Sequence, residues 1–67
     1  MFEVHAILVK PYKTIFNATM NYLPRIGEEI SINPDIFRVK NICYVLENGT
    51  MNKTEVLIFL ELVVRGD

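Results

Sequence analysis

The segment from Glu55 to Val64, EVLIFLELVV, is apolar on both faces of the strand that it predicts. Side chains alternate across a β-strand with a period of two, so each face can be read directly from the sequence. We expect one wholly apolar face to be core, and it consists of Val56, Ile58, Leu60, Leu62 and Val64. The opposite face adds Leu57 and Phe59 to two glutamates, which is unusual for a strand that meets only water. This second face therefore needs a cover.

The opening segment has the same two-sided character. Phe2, Val4, Ala6 and Leu8 fall on one face, and His5, Ile7 and Val9 follow Glu3 on the other. Turn signals divide the rest of the chain into three further strands. The first of these three places Phe16, Ala18, Met20 and Tyr22 inside and Ile15 outside. The five predicted strands are Phe2–Lys10, Thr14–Tyr22, Glu29–Ile32, Ile36–Leu46 and Glu55–Val64.

The turns are marked by proline, glycine and asparagine. Pro24 ends the second strand, Gly27 permits a positive φ at a tight corner, and Asn33-Pro34-Asp35 predicts a turn. The polar stretch 47–54, which contains Asn48-Gly49, predicts the loop before the last strand. In the fourth strand the inward pattern shifts by one residue after Val39, which predicts a β-bulge at Lys40-Asn41. A single helical turn over Asp35 to Arg38 is the alternative for the start of that strand.

Five short strands with a glycine corner and a bulge predict one all-β domain over residues 1–67, a small five-stranded SH3-like or OB-like barrel with a bulged fourth strand. The segments PRIGEEI and FRVKNI, within Leu23 to Tyr44, resemble a pattern in short barrel proteins of phages and other mobile elements. The resemblance covers about a third of the chain. It implies a fold and a genomic setting but no activity.

Composition narrows the classes of function. The 67 residues carry a net charge of −1, which argues against a strongly basic nucleic-acid binder. One cysteine, Cys43, and one histidine, His5, can form neither a disulfide nor a four-ligand zinc site within the chain. Because so small a chain is marginally stable alone, oligomerisation or partner binding is the remaining common stabiliser. The single cysteine, and the lack of a signal-peptide pattern or a long apolar run, predict a cytoplasmic protein, in the host cytoplasm if it is phage-encoded.

No residue set predicts catalysis, a metal site or a cofactor. His5 has no nucleophile at recognisable spacing and is interpreted as a surface histidine. Cys43 is interpreted as a small outward hydrophobe. Glu28 and Glu29 point to opposite faces of a strand, so they are poorly placed to chelate one ion together. We therefore expect a non-enzymatic protein.

The leading hypothesis is a protein-binding module. If the outer face brings the first, fourth and fifth strands together, one surface is rimmed by His5, Glu55 and Glu61, with Phe59 as the expected hot spot. Its apolar residues are Ile7, Val9, Val45, Leu57 and Phe59, with Cys43 among them. The partner is either a second copy, bound through this face or edge to edge through the last strand, or a different protein of the host or phage. The competing interpretation is that a terminal turn or short helix covers the face.

The second hypothesis is binding of single-stranded nucleic acid, which barrels of this size often perform with a basic groove and outward aromatics. The residues that would serve it are Lys10, Tyr12, Lys13, Arg25, Arg38 and Lys40. The neighbouring acids Glu3, Glu28, Glu29 and Asp35 offset these cations, which favours the protein-binding hypothesis.

Overall fold

A computed structural model of the protein describes residues 1–45 and 55–66, and the predicted loop at 47–54 lies outside these ranges. The described residues form five strands and no helix, so the all-β prediction is confirmed for them. The strands are β1 (Phe2–Val9), β2 (Tyr12–Met20), β3 (Glu29–Ile32), β4 (Asp35–Tyr44) and β5 (Glu55–Val64). No helix among these residues is long and apolar enough to cross a membrane.

The strands form one sheet in the order β2-β1-β5-β4-β3. The central pair, β1 and β5, runs parallel, and the other neighbours run antiparallel. These two strands are the most apolar of the chain on both faces, as expected of strands at the centre of a sheet. The sheet curls into a half-barrel, and its concave face carries the core.

The core consists of alternate residues from the central strands. It contains Val4, Ala6, Leu8, Phe37, Val39, Val56, Ile58 and Leu60, all buried. Partly buried side chains from both halves of the sheet pack against it: Phe2, Ile15, Phe16, Met20, Leu23, Ile30, Ile32 and Ile42.

Three shifts of register accompany the curl. The pairing skips Ile15 of β2, Lys40 of β4 and Val63 of β5. The shift at Ile15 corrects the prediction that its side chain lies outside, because Ile15 packs against the core. The predicted alternative of a helical turn at Asp35–Arg38 is also wrong, since these residues pair with β3 and β5 as part of β4.

The core face of β5 is shorter than its sequence predicts. Val56, Ile58 and Leu60 are buried, but Leu62 and Val64 are 37% and 47% exposed. The reason is topological, because the β1–β5 ladder ends at the pair Leu8–Leu60 and β1 then turns away into β2. Beyond this point, among the residues that the structure describes, β5 pairs only with β4.

The predicted glycine corner is present. Gly27 has a φ of 94°, and the Glu28 N–H donates to the Arg25 carbonyl at 3.0 Å, which closes a turn around Gly27. The corner is fastened to β4, because the Gly27 N–H donates to the Val39 carbonyl at 2.8 Å and the Val39 N–H donates to the Glu28 carbonyl at 2.9 Å.

Candidate functional site

The outer face of the sheet carries an apolar patch over the central strands. Pairing partners in a sheet project to the same side. The register places Ile7 opposite Phe59, and it places Leu57 between His5 of β1 and Cys43 of β4. Val45 follows β4, and its N–H donates to the Glu55 carbonyl at 3.0 Å. We call Ile7, Cys43, Val45, Leu57 and Phe59 the outer patch.

The residues of the outer patch differ in accessibility. Ile7 is only 7% exposed, because its neighbours on the sheet enclose it. Leu57, Phe59 and Val45 are half-buried, and Cys43 is exposed. Contact area for a partner therefore comes from the residues of β5 and the end of β4, while Ile7 supports Phe59 from beside it.

Val9 does not belong to the outer patch. It pairs with Tyr12 at the hairpin end of β1 and is 46% exposed. The structure thus brings four of the predicted interface residues together, Ile7, Val45, Leu57 and Phe59, and places Val9 at the end of the sheet where β1 leaves β5.

A hydrogen-bonded histidine forms one rim of the outer patch. The Nδ1 of His5 lies 2.6 Å from Asn17 Oδ1 on β2, and its Nε2 lies 2.9 Å from Glu55 Oε2 on β5. Both ring nitrogens thus face oxygen acceptors, an arrangement that suits the imidazolium, which donates from both. These bonds, to Asn17 first and then Glu55, raise the pKa of His5 above its ordinary value, with smaller support from the charges of Glu55 and Glu3. The ring of His5 on β1 thus contacts both β2 and β5 at this rim.

Ion pairs form the opposite rim. Arg38 Nη2 lies 2.8 Å from Glu29 Oε2 on β3, while Arg38 Nη1 and Lys40 Nζ lie 4.0 and 3.9 Å from Glu61 Oε1 on β5. All four side chains are partly exposed, so these pairs stabilise the fold little. Their effect is to surround the apolar centre with charge on its second side.

The carboxylates that sequence analysis considered for chelation have separate structural roles. Glu28 Oε1 accepts the backbone N–H of Arg25 at 2.6 Å within the glycine corner. Glu29 pairs instead with Arg38. The thiol of Cys43 is exposed and has only a weak contact, 4.0 Å from Sγ to the Tyr44 carbonyl.

The predicted nucleic-acid set is divided. Lys10, Lys13 and Lys40 line two cavities that both include Lys10 and Leu62, and Tyr12 beside them is 70% exposed. Arg38 is engaged with Glu29 and Glu61. Arg25 belongs to the glycine corner, which is fastened to the edge of β4 away from β5. Four of the six predicted residues, Lys10, Tyr12, Lys13 and Lys40, therefore lie at one end of the sheet.

Two features of these surfaces could not be predicted from the sequence. Asn17 becomes a partner of His5 only through the register of β1 and β2, which joins residues far apart in sequence. Arg65 lines the same cavity as Lys10 and Lys13, although nothing in its sequence surroundings indicates this. The one available signal is that β5 is longer than β1, so its last residues extend past the end of the β1 ladder.

No model of a protein family matches this chain, and comparison with curated proteins and with solved structures also gives no match.

Proposed function

We propose that the protein is a non-enzymatic protein-binding module that uses the outer patch to self-associate or to dock on a partner protein. The observation that carries the proposal is the juxtaposition of Ile7 and Phe59 across the central parallel pair, with Leu57 beside them on the same face. This places an aromatic side chain on a central strand of the sheet, with Ile7 beside it on β1 and Asn41 beside it on β4.

The arrangement has the anatomy of an interface. Interfaces combine an apolar centre, often with an aromatic anchor, and a polar rim that stays accessible to water. Here Phe59 and Leu57 form the centre, and the bonded His5 and the paired Glu61 lie on opposite rims. A polar rim fixes orientation, while the centre supplies most of the binding energy.

Self-association is the form of the proposal that we would test first. A chain of this size buries a modest fraction of its surface, so covering a second apolar face stabilises it. Two outer patches packed across a two-fold axis would bury each Phe59 against the other copy.

The test is the molar mass by light scattering over about a tenfold range of concentration, for the wild type and for Phe59→Ser. The wild type is expected to form a dimer or larger assembly that the variant weakens by about 2 kcal/mol or more. Tyr22→Ser is the matched control, because it removes an aromatic side chain that is 85% exposed and outside the strands. Circular dichroism of both variants establishes that they fold.

A monomeric wild type would exclude self-association and leave the outer patch to a different protein. In that case a binding partner should be retained by the wild type and by Tyr22→Ser but lost with Phe59→Ser. Equal association of folded Phe59→Ser in both experiments would remove the outer patch from the proposal.

Binding of single-stranded nucleic acid is the second candidate function. The grouping of Lys10, Lys13 and Lys40 at the end of the sheet where Tyr12 is 70% exposed favours it. Such binding weakens steeply as the salt concentration rises, because much of its free energy comes from the release of counterions that were bound to the phosphates. Affinity for an oligothymidine that is unchanged between low and high salt would exclude this function.

We also propose finer assignments of fold and origin. The half-barrel would be of the SH3-like or OB-like type, with the register shift at Lys40 as its fourth-strand bulge. The resemblance of PRIGEEI and FRVKNI to small phage proteins supports a phage origin and a location in the host cytoplasm. The protein would then inhibit a host or defence enzyme, or form part of the virion. A genomic neighbourhood without phage or mobile-element genes would contradict this origin.

A further inference from the structure

The last part of β5 has an open edge. The ladder with β1 ends at Leu60, whereas the ladder with β4 continues to Val64. Over Glu61–Val64 one edge of the backbone is paired with β4, and the other has no strand beside it among the described residues. Such an edge presents unpaired N–H and C=O groups that can pair with another chain.

Two adjoining cavities flank this edge. One, of about 400 Å³, is lined by Val9, Lys10, Lys40, Glu61 and Leu62. The other, of about 350 Å³, has an apolar floor of Leu8, Ile15, Phe37 and Leu62. Lys10 and Leu62 line both cavities, and Leu62 is 37% exposed, so the two cavities adjoin at this edge. We call this the β5 cleft.

The charges around the β5 cleft define what it would accept. Lys10, Lys13, Lys40 and Arg65 line it, against the carboxylates Glu61 and Asp35. Glu61 lies 3.9 Å from Lys40, and Asp35 Oδ1 accepts the neutral Gly66 N–H at 3.0 Å, so the two carboxylates balance two of the four cations. Arg65 has no ion pair within the described ranges. The cleft therefore has an excess of positive charge.

We propose that the β5 cleft binds an extended, acidic segment of a partner protein, which adds as a strand to the Glu61–Val64 edge. Main-chain hydrogen bonds to the edge supply affinity in this mode of recognition, and side chains that alternate along the added strand supply specificity. One apolar side chain of the segment would rest on Phe37 and Leu62, and its acidic neighbours, which project to the other face of the added strand, would meet Lys10 and Lys40.

A second copy of this chain suits the cleft less well. Two β5 edges brought together would juxtapose two surfaces that each carry excess positive charge, and like charges across an interface are unfavourable. Nucleic acid would satisfy the cations but would leave the backbone edge unpaired. An acidic peptide is the one occupant that uses both features.

The test uses labelled peptides and nuclear magnetic resonance of the full chain. The probe is a capped peptide of alternating glutamate and valine, compared with a lysine–valine peptide and with the glutamate–valine peptide N-methylated at alternate residues. We expect the first to shift the amide resonances of Glu61–Val64, and the other two to bind at least about fivefold more weakly. N-methylation removes backbone donors without any change in the protein.

Charge reversal supplies the matched pair of variants. Lys10→Glu, at the residue that lines both cavities, should weaken binding of the acidic peptide by about fivefold, and Arg25→Glu, at the glycine corner, should leave it unchanged. The proposal is overturned if the N-methylated or lysine peptide binds as well as the first. It is also overturned if an oligothymidine shifts the amide resonances of Glu61–Val64 and the acidic peptide does not. The same holds if the protein without peptide forms a dimer in which these amides are protected from hydrogen exchange. The β5 cleft shares Lys40 and Glu61 with the rim of the outer patch but does not include Phe59, so Phe59→Ser should still bind the peptide.

Discussion

The imidazole of His5 and the carboxylate of Glu55 meet across the central parallel strands, with 2.9 Å between Nε2 and Oε2. On its other side the ring lies 2.6 Å from Asn17 of β2. The histidine thus joins the first strand to the strand that follows it and to the last strand of the sheet. Its protonation links the charge of the outer face to the stability of the fold.

Stability should depend on the protonation of His5. Because its pKa is raised in the folded state, the folded protein binds the proton more tightly than the unfolded chain does. The contribution is fully present below the unfolded pKa of about 6.5, and it is lost as pH rises through the higher folded pKa. We expect the free energy of unfolding in urea to fall as pH rises from about 6 to 8.

His5→Gln is the control for this pH dependence. Glutamine has a donor for one oxygen acceptor but no titration, so the profile of the variant should be flat over the same range. Exposure of both partners, 29% for His5 and 35% for Glu55, keeps the effect modest. If the free energy of unfolding of the wild type rose with pH, or if His5→Gln showed the same slope as the wild type, another titrating group would determine the pH dependence.

The alternation of apolar and polar residues predicts where the strands lie because it is a local property. The bounds predicted for β5 agree with the structure, and Gly27 lies at the predicted corner with a positive φ. The extent of burial depends instead on which strand lies beside each residue. Leu62 and Val64 follow the core pattern but have no β1 neighbour, so they are exposed.

Two leucines on β5 provide a direct test of this difference. Leu60 is fully buried between β1 and β4, whereas Leu62 pairs with β4 alone. Leu60→Ala should cost about 2–5 kcal/mol of unfolding free energy, from lost burial and the cavity left behind. Leu62→Ala should cost about 1 kcal/mol or less, because its side chain already meets water. Urea unfolding measures both.

The comparison of Leu60 and Leu62 is sharp because the two substitutions are chemically identical. Failure of Leu60→Ala to fold would agree with its burial, since small domains have little stability to lose. Equal losses for the two variants would contradict the view that the β1 ladder ends at Leu60 in solution.

The surfaces were less predictable than the strands. Ile7 and Phe59 lie side by side because β1 pairs with β5. The alternation of apolar and polar residues is compatible with this pairing but does not predict it. The β5 cleft depends on the residue at which β1 turns away from β5 and on the position of Arg65 beside Asp35 and Phe37 of β4. Both depend on residues that are distant in sequence. Ile15 illustrates the same limit, because a register shift moves it from the expected outer face onto the core.

The glycine corner should be sensitive to backbone conformation alone. Gly27 has a φ of 94°, and a Cβ added there would meet no heavy atom within 4 Å. Gly27→Ala therefore introduces no clash, and its cost arises from forcing a side-chain-bearing residue into the left-handed region, about 1–2 kcal/mol. Gly27→Asn should lose less, because asparagine adopts this region more readily than alanine. Thermal or urea unfolding should give decreasing stability in the order wild type, Gly27→Asn, Gly27→Ala.

An alanine variant as stable as the wild type would mean that the turn between Arg25 and Glu28 does not need a positive φ. The shape of the corner would then come from its hydrogen bonds with Val39.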